Sequence, residues 1–245
     1  MKASVSPAIA IFALLALPCL AALGQDVVVQ KDGQRLDRQI TGIKDNVLRV
    51  KVGQAETGIP MASIASVSMA PPKAYVETLA AWQSGDAKKT LSLLAPLVAN
   101  FNGLPTEWAE RSSALLGEAF LATGEVAKAE TAFGDFQKFY PDAASTADVG
   151  LAQLAIEKKE FSAAREKLLP IVEKAKAAKL AGPGECAVFG RALFLLGLIH
   201  EASAENSEAM ENYLLVTTLF HEDKAVAQKA REHAAVLAEK NVIVP

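Results

Sequence analysis

The stretch Leu115–Pro141 reads LLGEAFLATGEVAKAETAFGDFQKFYP, and its small and aromatic residues recur at fixed intervals. In a 34-residue frame that starts at residue 110, Gly117 falls at frame position 8, Phe120 at 11, Gly124 at 15, Ala129 at 20, Phe133 at 24 and Pro141 at 32. The spacing describes two helices that cross closely. Small side chains at positions 8 and 20 let the backbones approach. Large ones at 11 and 24 fill the space between them, and the proline stops the second helix. Phe133, Phe136 and Phe139 on that helix, with Tyr140 at its end, are therefore expected to be packed core rather than an aromatic ligand cage. A cage needs aromatics converging from several elements.

Three further segments fit the same frame. The one starting at Pro71 places Gly85 at position 15 and Leu94 at 24; the one starting at Ser145 places Ala152, Ala155, Ala164 and Leu168 at 8, 11, 20 and 24. The one starting at Gly190 places Gly197, His200, Ala209 and Tyr213 there. The longest insert between units falls near LAGPGE (180–185), which reads as an extended loop. Pro96 and Pro170 share frame position 26, so two of the second helices are expected to kink alike. KAVAQKAREHAAVLAEK (224–240) carries Val226, Ala230 and Leu237 on one stripe, as a helix that closes a repeat stack does.

These residues resemble the tetratricopeptide repeat at nearly every marker, position 27 being Phe136 where the pattern has alanine. Phe133, Phe136 and Pro141 form a phrase similar to repeats of periplasmic Tol–Pal accessory proteins and outer-membrane assembly lipoproteins. The resemblance implies a helical solenoid of the bacterial envelope. The chain departs from the first group in lacking an N-terminal coiled coil, and from the second in lacking a good lipid-bearing cysteine.

Pro71-Pro72 divides the repeats from a region with other rules. DVVVQ (26–30), RLDRQITGI (35–43), VLRVKV (47–52) and TGIPMASIASVSM (57–69) read as short strands, with turns at Lys31-Asp32-Gly33, Asp45-Asn46 and Gly53. So small a sheet must curl to bury a face, which predicts a small antiparallel β-barrel over 25–70, similar to SH3-like or Sm-like barrels. The fold class expected is mainly α: a tetratricopeptide-like α-solenoid over 71–241, about four units plus a capping helix, preceded by that barrel and followed by a tail, 242–245.

Residues 1–24 read as a secretory signal peptide: Lys2, an apolar run from Ile9 to Leu20, and Ala22 and Gly24 at the −3 and −1 positions of a cleavage site. Pro18 directly before Cys19 fits a lipoprotein signal badly. Cleavage near Gly24 removes one base, Lys2, from a chain whose net charge is already −3. There is no basic excess to follow a nucleic-acid backbone. Cys186 alone then remains of the two cysteines, which leaves no internal disulfide. The expected location is the periplasm or the outside of the cell, with no membrane span in the mature chain.

No motif for catalysis, cofactor or metal stands out. His200-Glu201 lacks the second histidine of a zinc-protease motif, Gly182-Pro183-Gly184 lacks the Lys-Ser/Thr of a phosphate loop, and no cysteine pair has ligand spacing. His200 reads as a core histidine and Cys186 as a buried small residue. Repeat stacks bind partners in the groove lined by the first helix of each unit. Frame positions 2, 5, 9 and 12 point there: Tyr75 and Trp82; Arg111 and Glu118; Val149, Gln153 and Ile156; Arg191, Phe194, Leu198 and Glu201. The expected function is a non-enzymatic, exported protein-interaction scaffold in the envelope that takes a protein or peptide partner with apolar anchors. A permanent subunit of an envelope assembly and an unrecognised hydrolase built on His200 and Glu201 are the alternatives.

Overall fold

The computed structural model describes residues 26–178, 180–182, 184–240 and 242. The expected signal peptide, its cleavage site and Cys19 lie outside the described residues, as do tail residues 243–245.

Among the described residues six short strands come first: β1 (Val27–Gln30), β2 (Arg35–Asp37), β3 (Ile40–Lys44), β4 (Val47–Val52), β5 (Ala55–Pro60) and β6 (Ile64–Ser68). Asp45 and Asn46 both take left-handed φ, 53° and 60°, as the tight β3–β4 hairpin requires. The strands form two antiparallel sheets, β2-β1-β6 and β3-β4-β5. The expected closed barrel is absent among the described residues. The sheets are joined at corners of chain, Arg38-Gln39 between β2 and β3 and a 3-10 turn, Met61–Ser63, between β5 and β6. Isolated bonds such as Lys51 N–H to Gln39 O, 2.8 Å, brace the corners.

Closure is unnecessary because helices cover the apolar faces. Val28, Ile40, Leu48, Val50, Ile59 and Ile64 share one core with Tyr75, Leu97, Leu104, Trp108 and Ala109. Trp108 donates its indole N–H to the Met69 carbonyl at 3.1 Å. A Cβ on Gly42 of β3 would lie 2.8 Å from the Asn100 carbonyl oxygen, so only glycine permits that approach.

Nine helices follow among the described residues: α1 (Lys73–Gln83), α2 (Ala87–Phe101), α3 (Glu107–Ala122), α4 (Val126–Phe139), α5 (Ala144–Glu157), α6 (Phe161–Ala177), α7 (Glu185–Ala202), α8 (Asn206–Thr218) and α9 (Lys224–Glu239). They pair as α1/α2, α3/α4, α5/α6 and α7/α8, with α9 on the end. The pairs keep the register of the frame. Position 20 is Thr90, Ala129, Ala164 and Ala209, and position 24 is Leu94, Phe133, Leu168 and Tyr213, every one of them fully buried. Phe136 at position 27 is core as well, but Phe139 is about half exposed and corrects the expectation of packed core there. Its ring lies over Gly103 at the surface.

Position 15, the turn inside each pair, is Gly85, Gly124, Lys159 and Ala204, with φ of 78°, 76°, 62° and 59°. All four turns therefore use one left-handed residue, although two of them have no glycine. That conformation costs a non-glycine residue about 1–2 kcal/mol. The α2 and α6 helices run unbroken through Pro96 and Pro170. Both prolines face solvent, where the carbonyl that each leaves unbonded can meet water.

Candidate functional site

Successive helices pack in order along the chain, and α3, α5, α7 and α9 also touch one another in series. No comparable contact among the described residues joins α2, α4, α6 and α8. From α3 onward the first helices of the pairs, together with α9, are thus the closer set, which puts them on the inner side of the curve. Their free faces are where a groove lining is expected.

Position 5 does not contribute to it. Tyr75, Ala114, Val149 and Phe194 are all buried. Tyr75 packs in the β-region core, its ring centroid 6.3 Å from that of Trp108. Phe194 packs edge-on to His233 and tilted against Tyr213, at 5.8 and 5.9 Å. Neither ring offers a free face. The side chains left on the inner face stand at positions 2, 9 and 12. Arg111 is exposed, and Trp82, Glu118, Gln153, Ile156, Arg191, Leu198 and Glu201 are partly exposed.

Two of these acids are already engaged. Glu118 on α3 accepts a hydrogen bond from the Arg191 guanidinium on α7, which crosses the level of α5 to reach it. Burial pulls the Arg191 pKa down, but the Glu118 charge, the bond to it and the charge of Asp223 more than offset this and leave it raised. Glu201 accepts from the Tyr213 hydroxyl at 2.9 Å and lies 2.8 Å from His233 Nδ1 on α9. Burial first, and then Glu201, pushes the Tyr213 pKa up. Tyr213 occupies a fully buried position filled by Leu or Phe in the other units, so its hydroxyl must find an acceptor, and Glu201 is that acceptor.

His200 pairs with Glu205, 2.5 Å away, and not with Glu201. Arg165 holds the same Glu205 carboxylate at 2.9 Å and, together with His200, keeps its pKa low. The His200/Glu201 pair on which the hydrolase alternative stood is therefore split between two separate contacts. His233 is the residue that sequence reasoning missed. It stands 32 positions from its acid on the closing helix, and the one signal pointing toward the cluster was a lone tyrosine at an apolar frame position.

Among the described residues no group of three or more His, Cys, Asp and Glu side chains is placed to hold a metal ion. Nor is any helix among them long and apolar enough to cross a membrane. Cys186 is half-buried, its thiol 3.7 Å from the Leu219 carbonyl. A cleft beside Pro170 is lined by Asp148, Glu166, Lys167 and Lys174. Three of those charges are spent in Lys167–Asp148 and Lys174–Glu185 pairs, at 3.6 and 2.6 Å.

No family model matches the chain, and no curated protein matches it. Among solved structures it is similar to a putative kinesin light chain of Podosopora anserina with nearly identical TPR-like repeats. A substituted form of that protein is 19% identical with a TM-score of 0.47, over 69% of this chain and 84% of that one. The unsubstituted form is 17% identical with a TM-score of 0.47, over 69% and 85%. The chain is also similar to MamA, residues 41 to the end, from Desulfovibrio magneticus RS-1: 18% identical, TM-score 0.41, over 69% and 96%.

Proposed function

We propose that this chain is an exported, non-enzymatic scaffold of the cell envelope that holds a protein or peptide partner in the groove of its helix pairs. The observation that carries the reading is the series contact of α3, α5, α7 and α9, which makes a continuous inner face. Partly exposed apolar side chains, Ile156 and Leu198, alternate on that face with Arg111, Gln153 and Arg191, and Trp82 stands on α1 at the frame position of Ile156. Such a lining suits an extended segment with apolar anchors and a polar backbone. The export pattern of residues 1–24 supports the envelope as its place of work.

Crosslinking capture from the native envelope tests the groove, with the full chain run beside an Arg111→Glu/Gln153→Arg variant. Both side chains lie off the core, so the variant keeps its fold. A partner enriched by the parent and lost by the variant supports the groove. A partner retained by the variant places the contact elsewhere, on the β region or the outer helices.

A further inference from the structure

In a solenoid each repeat touches only its neighbours, so stability and shape are sums of nearest-neighbour terms. A side-chain contact across the stack breaks that rule here. Glu118 belongs to the second helix pair and Arg191 to the fourth, 73 residues later, with α5 of the third pair packed between α3 and α7. The two side chains are only 19% and 22% exposed. Water and salt therefore screen this pair less than the surface pairs elsewhere, such as Lys73–Glu77. The guanidinium is also within the field of Asp223. That carboxylate caps α9, accepting from the Ala225 and Val226 N–H groups at 3.1 Å each. The direct contact is the one between Glu118 and Arg191, which joins α3 to α7.

The geometry points to a latch: the Glu118–Arg191 pair holds α3 and α7 at a fixed separation across α5 and so sets the width of the groove. Two consequences follow. The second, third and fourth helix pairs bend as one body rather than as a flexible array. Furthermore, a segment entering the groove meets a bridge at mid-length, so its entry is coupled to release of the pair. The second consequence rests on the groove being the binding surface; the first does not.

Spin labels at matched positions test the latch with no partner present. Ala122→Cys and Ala202→Cys place them at frame position 13 of the second and fourth pairs, both exposed, in a full chain also carrying Cys19→Ser and Cys186→Ser. Pulsed dipolar spectroscopy then reads the separation of α3 and α7. The parent is expected to give one narrow distribution. Arg191→Met and Glu118→Gln should each shift it to longer distance and broaden it, with helicity by far-UV circular dichroism unchanged. Arg191→Lys, which keeps the charge, should stay near the parent. The latch is overturned if both neutral variants keep the parent distance. It is equally overturned if Arg191→Met alone lengthens it, since Arg191 is then a packing post and not half of a charge pair. Failure here leaves the capture experiment on the groove untouched, and failure of the capture leaves the measured distance standing.

Discussion

The second and fourth helix pairs solve the same packing problem differently from the first and third. In the second and fourth, frame position 8 is glycine, Gly117 and Gly197, and position 24 is aromatic, Phe133 and Tyr213. In the first and third, position 8 is Thr78 and Ala152, and position 24 is Leu94 and Leu168. Volume taken at one position is returned at the other. A Cβ on Gly117 would come within 2.6 Å of the Phe133 ring, and one on Gly197 within 2.5 Å of Tyr213. The two designs teach that positions 8 and 24 are matched in volume to each other and that neither residue is fixed by itself.

Exchanging one design for the other is the harshest way to break this comparison. Phe133 is wedged between two glycines, since a Cβ on Gly150 of the next pair would also run into its ring. The ring cannot retreat from one without meeting the other. Gly117→Ala should therefore cost about 1–3 kcal/mol or more through overpacking, despite alanine's better helix propensity. Gly117→Ala/Phe133→Leu, which rebuilds the third pair's design, should recover much of the loss. Urea denaturation of the three proteins checks this. A double variant no more stable than Gly117→Ala would show that the two positions do not trade volume.

The hydroxyl groups distinguish even the two glycine-bearing pairs. The second has Phe at position 24 and Tyr140 at position 31; the fourth has Tyr213 and Phe220. At position 12, beside the aromatic of position 24, stand Leu121 and Glu201 respectively. Glu201→Leu should orphan the buried Tyr213 hydroxyl and the His233 contact, at a cost of about 1–3 kcal/mol. Adding Tyr213→Phe, which copies the second pair, should return much of it, because removing both members of a buried polar pair costs less than removing one. Thermal melts measure the difference; equal midpoints for single and double variants would remove Tyr213 from the account.

Much of this architecture was legible because it repeats. At positions 20 and 24 the spacing named seven residues, and all are buried, as is Thr90, which it did not name. The turn at position 15 was legible where it is Gly85 or Gly124 but silent at Lys159 and Ala204, where tertiary packing imposes a backbone that the residue itself disfavours. Barrel closure was misjudged because strand patterns report which faces are apolar and say nothing of what covers them; here Trp108, Tyr75 and Leu97 do. Of the expected groove lining, position 5 was misplaced. Position 5 is apolar and buried in all four units, so a large side chain there reports contact between neighbouring units rather than a docking surface. The Glu118–Arg191 contact left no local trace and the Glu201–His233 contact left only the lone Tyr213, since each joins residues on different turns of the stack.

The turns divide the molecule along another line, the first two pairs against the last two. Lys159→Gly and Ala204→Gly should each stabilise by about 1 kcal/mol, because glycine adopts φ near +60° without strain. Gly85→Ala and Gly124→Ala should destabilise by a similar amount. A Cβ at either glycine meets open space, so the effect would be one of backbone conformation alone. Denaturation midpoints that move the same way for all four substitutions would mean that the turns are not equivalent.

The smallest effect at neutral pH belongs to the hydroxyl of Tyr140, which Phe220 lacks at the equivalent position. It accepts from the Gly103 N–H at 2.9 Å and donates to the Leu104 carbonyl at 3.4 Å, stitching the end of α4 to the α2–α3 loop. Burial raises its pKa to about 12, against an opposing contribution from the Gly103 bond. The unfolded chain ionises near pH 10, so below that both states hold the proton and the shift leaves stability unchanged. Between about pH 10 and 12 the unfolded state loses its proton first, and stability falls as pH rises through the folded value. Tyr140→Phe should therefore be modestly less stable than the parent at pH 7, having lost a partner for the Gly103 N–H, and the gap should narrow or reverse as pH climbs past 10. Paired melts at pH 7, 9 and 11 read this directly. A gap that stays constant across them would mean that Tyr140 ionises alike in both states, and the hydroxyl would then distinguish the second pair's aromatic end from the fourth's through its hydrogen bonds alone.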